Sequence, residues 1–176
     1  FNQAGIEILG IPEGLPEYEL ISIVCSLISE FGLKNCLIKI NHLGTPEDKE
    51  SFCNALVEFL EPIKEELGEK DIERLNNNPL RILDTKDKNT QNLLQNAPSI
   101  KDFISSDSIK LLESIKNEFS DICNIYIDYS LVRGLDYYSG FVFEALSSNL
   151  GAQDSFLGGG RYDYLSSKLG GKDMPS

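Results

Sequence analysis

The sequence predicts an α+β fold in which an antiparallel sheet with flanking helices is interrupted by a mostly helical insertion. Short β-type runs occur before residue 44 and after residue 120, and between them apolar residues recur at three- and four-residue spacing. The chain has 176 residues, of which 41% are hydrophobic, and this is enough to bury a core. We therefore expect residues 1–44 and 121–176 to form two parts of one sheet domain, and residues 45–120 to form a helical insertion domain.

The first part of the chain predicts two strands with a helix between them. Gly5–Gly10 is rich in isoleucine and bounded by glycines, which is typical of a strand. Leu15–Phe31 has apolar residues at helical spacing and predicts an amphipathic helix that Gly32 ends. Cys36–Asn41 predicts the next strand.

The helical insertion begins with a capping pattern in which Thr45 is the N-cap and Pro46 is the first helical residue. Pro62 is expected to kink or end this helix. A short helix is predicted within Asp87–Asn96, and a longer helix, capped by Asp107, is predicted to run through Phe119.

The last part of the chain returns to strand patterns. Ile125–Tyr129 and Phe141–Leu146 are predicted to be neighbouring antiparallel strands. Gln153–Leu157 predicts a further strand that leads into three glycines, and Asp163–Leu169 predicts a short helix behind it.

Composition excludes several classes of function. The net charge of −12 argues against a general nucleic-acid binder, because affinity for a polyanion comes mainly from Lys and Arg. Four cysteines without CxxC spacing and a single histidine, His42, argue against a zinc site. No apolar run approaches the roughly 20 residues that span a bilayer, and the start does not resemble a signal peptide. We therefore expect a cytoplasmic protein without a structural metal.

The segment Leu131–Glu144 combines a charged, glycine-bearing turn with two phenols and a β-type run. The guanidinium of Arg133 suits a phosphate or a carboxylate, because its planar fork donates two parallel hydrogen bonds. Tyr137 and Tyr138 can form the wall of a pocket and donate hydrogen bonds. The alternative is structural: an arginine paired with Asp136, two core aromatics and a hairpin glycine.

A second cluster, Gly158–Asp163, carries its own arginine and tyrosine. Together, LVRGLDYYSG and GGGRYD resemble the two signature motifs of histidyl-tRNA synthetase, a class II aminoacyl-tRNA ligase. Phe1–Glu7 is similar to the end of the class II motif 2, and Asn78–Asp84 is similar to part of the inserted domain of that family. The resemblance thus extends over essentially the whole chain, and it implies part of the class II antiparallel sheet.

The resemblance implies a histidine–tRNA ligase, which activates histidine with ATP to histidyl-adenylate and transfers it to the 3′ end of tRNA(His). It implies that Arg133 is catalytic, contacting both the reacting carboxylate and the α-phosphate of ATP. The further residues that it implies around histidine are Glu7 and Tyr138 at the ring nitrogens, Gln3 at the polar backbone end, Tyr137 and Tyr162 as pocket walls, and Gly159 and Gly160 as space for the substrate. For Arg161, pairing with Asp163 or with a strand carbonyl is an equally good interpretation.

The resemblance also implies Mg²⁺ bound with ATP, a homodimer at full length and a helical insertion that contacts the tRNA acceptor stem. Motif 1, the motif 2 arginine, motif 3 and the anticodon-binding domain would lie outside this chain, so the isolated fragment is expected to be inactive. Two alternatives stay open. One is a histidine-sensing regulatory subunit of ATP phosphoribosyltransferase without ligase activity, and the other is an α+β fragment with a nonfunctional pocket.

Overall fold

The computed structural model describes residues 2–150 and 155–176, which form one sheet with helices around it. The α-helices are α1 Leu15–Glu30, α2 Pro46–Leu60, α3 Glu69–Asn77, α4 Lys88–Leu94, α5 Ser106–Glu118 and α6 Leu165–Lys168. The strands are β1 Cys36–His42, β2 Ile125–Ile127, β3 Phe141–Ser147 and β4 Ser155–Gly160. Short 3₁₀ helices span Glu61–Glu66, Pro79–Asp84, Ile100–Asp102 and Ser148–Leu150. The predicted α+β class is confirmed.

The strand order is β2-β1-β3-β4. β1 and β4 both pair with β3 in antiparallel fashion, whereas β1 and β2 are parallel, so the sheet is mixed. The prediction that Ile125–Tyr129 and Phe141–Leu146 are neighbours is wrong, because β1 lies between them. Alternating apolar residues identify a strand without naming its partner, and the fully buried Ile38 and Ile40 place β1 in the middle of the sheet.

The strand predicted at Gly5–Gly10 does not form. Residues 2–7 are exposed, and the amide of Gly10 donates to the carbonyl of Pro175 at 2.7 Å. A strand needs a neighbouring strand to satisfy its backbone groups, and within the described residues none runs beside this segment.

Most predicted helices are confirmed, and their caps explain their starts. The side chain of Thr45 accepts a hydrogen bond from the amide of Asp48, as the capping pattern predicts. The predicted cap at Asp107 is wrong, because Ser105 caps α5 by accepting from the amide of Ser108. Either side chain can cap, but only Ser105 is in extended conformation directly before the first turn.

The predicted strand Gln153–Leu157 lies partly outside the described residues. β4 begins at Ser155 and continues through Gly158, Gly159 and Gly160, so the three glycines belong to the strand itself. Among residues 2–150 and 155–176, no helix combines the length and the apolar character needed to cross a membrane.

The two faces of the sheet differ in what covers them. Helices α1 and α5 pack on one face against a core that includes Ile40 and Phe143. The other face carries Val142 and Glu144 and is crossed by residues 131–138. Because α5 packs on β1 and β2 within the main core, the end of the 45–120 insertion is in close contact with the sheet. The three-part domain division stays a prediction.

Candidate active site

Arg133 lies on the face of the sheet that carries Val142 and Glu144, in the irregular segment that joins β2 to β3. Its Nη1 donates to Oε1 of Glu144 at 2.7 Å, and the hydroxyl of Ser155 donates to the same oxygen at 2.8 Å. The side chains of Arg133 and Glu144 are each 23% exposed. The pairing of Arg133 with Asp136, considered as the structural alternative, is replaced by an ion pair with β3.

Gly158 provides the space that the guanidinium of Arg133 occupies. A Cβ atom at Gly158 would lie 2.7 Å from Cζ of Arg133, which is too close for real atoms. Gly158 is the cross-strand partner of Glu144, so the guanidinium of Arg133 lies over the face that β3 and β4 share at this pair. Sequence reasoning missed Gly158. The alternation of side chains along a strand could have identified it. Alternate residues of β4 point to the same face of the sheet, and Gly158 and Gly160 lie on the face that also carries Glu144.

Three tyrosines and a glutamate meet beside this arginine. The rings of Tyr137 and Tyr138 are 4.7 Å apart between centroids, and the ring of Tyr162 meets that of Tyr137 edge-on at 5.8 Å. The hydroxyl of Tyr162 donates to Oε1 of Glu7 at 2.6 Å. The structure therefore brings together Glu7, the adjacent Tyr137 and Tyr138, and Tyr162, which come from three separate parts of the sequence.

Two of these phenols have raised pKa values. Burial raises the pKa of Tyr138, and its neighbour Tyr137 adds to this, whereas the charge of Arg133 acts in the opposite direction. Burial, followed by the hydrogen bond to Glu7, raises the pKa of Tyr162 to about 12. Both phenols are therefore protonated at neutral pH and can act as hydrogen-bond donors.

Three further residues of the predicted site are Gln3, Gly159 and Gly160. Gln3 is in the exposed N-terminal segment, and its side chain makes no hydrogen bond to any residue that the structure describes. A Cβ at Gly159 would lie 3.1 Å from the ring of Phe143, and one at Gly160 would lie 2.6 Å from the carbonyl oxygen of Phe141. The absence of a side chain at both glycines lets the backbone of β4 lie close to residues of β3. Their role as space for the substrate stays a prediction.

Arg161 is buried, and protein groups surround its guanidinium. It forms an ion pair with Glu17 on α1, its Nε lies 3.1 Å from Oδ1 of Asp163, and its Nη2 donates to the carbonyl of Ile11 at 2.9 Å. The pairing with Asp163 that the sequence left open is thus present. The partner Glu17 could not be expected, because 144 residues separate it from Arg161.

His42 is a second buried polar residue whose partners the sequence did not reveal. The amide of Gly44 donates to its Nδ1 at 3.0 Å, so the ring proton is on Nε2, which lies 2.8 Å from Oε1 of Glu13. Burial would raise the pKa of Glu13, but the hydrogen bond from His42 and the electrostatic interactions with His42 and Arg161 together outweigh burial, so the net shift of this pKa is downward. The histidine is a satisfied structural residue at the end of β1.

Comparison with known proteins identifies the family. The model of the histidyl-tRNA synthetase family matches residues 1–176. The chain belongs to the histidyl-tRNA synthetase family. It is 43% identical over 180 residues to a curated histidine–tRNA ligase of Picosynechococcus sp. and 41% identical over 177 residues to that of Microcystis aeruginosa. These matches cover 100% of this chain and 42% of each relative, so the chain spans less than half the length of these synthetases.

Solved synthetase structures agree with the fold. Apo histidyl-tRNA synthetase of S. aureus superposes with a TM-score of 0.69 at 31% identity, and the match covers 95% of this chain and 41% of that one. A Bacillus halodurans protein described as an ATP phosphoribosyltransferase regulatory subunit/histidyl-tRNA synthetase gives a TM-score of 0.52 at 20% identity, over 95% of this chain and 47% of that one. At that identity the second likeness shows the fold alone. The resemblance of the motifs to the histidyl-tRNA synthetase family is confirmed.

Proposed function

We propose that the protein containing this chain is a histidine–tRNA ligase, which forms histidyl-adenylate from histidine and ATP and transfers the histidyl group to tRNA(His). The observation that carries the proposal is the meeting of the Arg133 guanidinium with the tyrosine cluster and Glu7. A positive charge that can bind the carboxylate of histidine thus lies beside polar groups that can bind its imidazole ring. Relatives that are 41–43% identical and are named histidine–tRNA ligase support it.

Arg133 is suited to the activation step. When the carboxylate of histidine attacks the α-phosphate of ATP, two anions meet and negative charge builds on the phosphate. A preorganised donor aimed at such charge contributes about 3 kcal/mol. Glu144 and Gly158 hold the guanidinium before any substrate is bound, so little reorganisation is needed during the reaction.

Recognition of the imidazole ring requires partners for both ring nitrogens, because an unpaired buried polar group costs about 1–3 kcal/mol. In this proposal, the carboxylate of Glu7 accepts from one ring nitrogen and the protonated phenol of Tyr138 donates to the other. The hydroxyl of Tyr162 already donates to Glu7 and so orients it. Gln3 binds the polar backbone end of histidine, and Tyr137 and Tyr162 form pocket walls.

The remaining parts of the proposal concern the whole protein. ATP binds as its Mg²⁺ complex and is a substrate, tRNA(His) is the acceptor, and the full-length protein is a cytoplasmic homodimer. Residues 45–120 are the insertion between the two parts of the catalytic domain, 1–44 and 121–176. Support for this division comes from a small separate core that includes Leu60, Leu75 and Ile82.

The test is exchange of pyrophosphate into ATP, dependent on histidine, by the full-length protein. We expect Arg133→Ala to lower this exchange by roughly 100-fold or more, while histidine binding measured by calorimetry is largely kept. Arg133→Lys should recover only part, because an ammonium lacks the bidentate fork.

A suitable control is Lys110→Ala, since Lys110 is 75% exposed and pairs with the exposed Asp107 one turn earlier in α5. That variant should exchange at the wild-type rate. Near-wild-type exchange by Arg133→Ala would remove the arginine from catalysis. Histidine binding without any exchange by the wild-type protein would instead favour the regulatory-subunit alternative.

A further inference from the structure

Three side chains of the helical part reach across to the segment that carries Arg133 and the tyrosines. Nη1 of Arg81 donates to the carbonyl of Gly134 at 2.6 Å. Nδ2 of Asn78 donates to Oδ1 of Asp136 at 2.7 Å. Nζ of Lys49 lies 3.2 Å from the carbonyls of both Asp136 and Tyr138. We call Lys49, Asn78 and Arg81 the loop clamp.

The clamped segment has little else to fix its backbone. Between Val132 and Tyr138 the described residues provide no backbone–backbone hydrogen bond, and the segment has no helix or strand of its own. Gly134, Leu135 and Asp136 are exposed. An irregular segment without such bonds samples many conformations unless side chains hold it.

Arg81 and Lys49 donate hydrogen bonds to the carbonyls of every second residue, namely Gly134, Asp136 and Tyr138. These carbonyls lie next to the residues that face the substrate in the proposed function. Gly134 directly follows Arg133, and Tyr138 carries one of the phenols. Arg133 itself is anchored on the other side by Glu144. The backbone on either side of the two tyrosines is therefore positioned by groups from outside the sheet.

Two of the clamp residues belong to Asn78–Asp84, a segment whose role the proposed function leaves unassigned. Asn78 is the C-cap residue directly after α3, and Arg81 lies in the 3₁₀ helix Pro79–Asp84 that follows. Because the 3₁₀ helix follows the end of α3 directly, the side chains of Asn78 and Arg81 both reach residues 134–136. Pro79 contributes by restricting the backbone between them.

We propose that Asn78 and Arg81, assisted by Lys49, are positioning residues for histidine activation, which act by fixing the conformation of residues 133–138. The inference rests on the proposed function. It assigns the helical part a role in forming the adenylate, in addition to any contact with tRNA. The rival explanation is that these bonds only attach the helical part to the sheet.

The experiment compares two arginines of the helical part in the full-length protein. Arg81 contacts the loop, whereas Arg74 pairs with Asp71 inside the helical part and is the matched control. We expect Arg81→Ala to lower kcat of histidine-dependent pyrophosphate exchange by about 10- to 100-fold, since a misplacement of about 1 Å can have that effect. Arg81→Lys should restore part of the rate, and Arg74→Ala should stay within about twofold of wild type at 25 °C. An equal loss in Arg74→Ala would overturn the proposal in favour of simple attachment.

A second measurement does not depend on activity. Limited proteolysis with chymotrypsin, with the cut located by mass spectrometry, reports the mobility of the exposed segment around Leu135 and Tyr137. Cleavage there should be several-fold faster in Arg81→Ala than in wild type or Arg74→Ala. Unchanged cleavage would overturn the proposal, whatever the exchange rate is. If the wild-type full-length protein shows no exchange, the proposed function fails, and proteolysis alone decides whether the clamp positions the loop.

The pair of Asn78 with Asp136 allows a double-mutant cycle. If Asn78 acts through Asp136, the double variant Asn78→Ala/Asp136→Ala should exchange no more slowly than the slower single variant. Additive losses would show that Asn78 acts by another route and would remove it from the proposal. Faster exchange in Asn78→Ala than in wild type would overturn its positioning role.

Discussion

At position 158, a hydrogen atom in place of a side chain leaves room for the guanidinium of Arg133. Gly68, which directly precedes α3, differs in kind, since a Cβ atom there would meet open space and its backbone is extended. These two glycines therefore separate the general effect of adding a methyl group from its effect on the arginine.

We expect Gly158→Ala to lower histidine-dependent pyrophosphate exchange by about tenfold or more, because its Cβ would displace the atoms of Arg133 that lie 2.7 Å away. Circular dichroism should show an unchanged helix content. Gly68→Ala should exchange at the wild-type rate, and wild-type exchange by Gly158→Ala would mean that the guanidinium position seen here is not the catalytic one.

Part of the candidate site could be predicted from residue types, and part could not. The chemical uses of Arg133, Tyr137 and Tyr138 follow from their groups and from the motif that holds them. Their partners do not follow, because Arg81 is 53 residues from Gly134 and Asn78 is 58 residues from Asp136. Such contacts depend on how helices pack, which a local pattern does not encode.

At the scale of elements, Asp128, the residue directly after β2, helps to attach this strand to β1. The amide of Asp128 donates to the carbonyl of Ile40 at 2.9 Å, and its carboxylate accepts from Nζ of Lys39 at 2.8 Å. β2 has only three residues, so this side-chain pair adds substantially to its pairing with β1.

The stability contributed by Asp128 should depend on pH. Burial would raise the pKa of Asp128, but the hydrogen bonds from Lys39 and Ser130 and the charge of Lys39 together outweigh burial and lower this pKa. A lowered folded-state pKa stabilises the fold above the unfolded value of about 3.9, and this stability is lost as pH falls through the folded value.

We therefore expect Asp128→Asn to lower the free energy of unfolding by about 1–3 kcal/mol at pH 7, and by progressively less as pH falls below about 4. Urea denaturation at a series of pH values measures this. Asp107→Asn is the control, because that side chain is 86% exposed and should show a smaller change at pH 7. A constant difference at all pH values would contradict the role of the charge.

Elements with a strong period were predicted well. The boundaries of α1, β1 and α2 agree with the patterns of apolar residues and with the caps. The failures among the strands concern pairing: Gly5–Gly10 has strand composition but no neighbouring strand among residues 2–150 and 155–176, and β2 pairs with β1 in place of β3. The pattern of apolar residues predicts that a segment forms a strand. It does not predict which strand pairs with it, because the partners are distant in the sequence.

At the scale of the whole molecule, Arg161 joins three regions. It links the segment before α1, through the carbonyl of Ile11, to α1 itself, through Glu17, and to the end of β4. The side chains of Arg161 and Glu17 are 5% and 1% exposed. Removing one partner of such a buried pair leaves the other charge uncompensated, at a cost of about 3–5 kcal/mol.

We expect Arg161→Met to lower Tm by roughly 6–20 °C, from that cost and the usual shift of about 2–4 °C per kcal/mol for a chain of this size. Adding Glu17→Gln to this variant should recover part of the loss, because the unpaired charge is then gone. Differential scanning calorimetry measures both changes. A Tm within 2 °C of wild type would show that the junction adds little to stability.

The central position of β1 has a consequence for how the chain reaches this structure. Its bond to Asp128 joins residues 89 apart, whereas β3 and β4 are neighbours in sequence. Closing a long loop costs more entropy than closing a short one, and long-range pairings form slowly. We therefore expect the sheet to nucleate at β3 and β4 and to acquire β1 late. In pulsed hydrogen exchange during refolding, the amides of β1 should gain protection after those of β4. The reverse order would contradict this expectation.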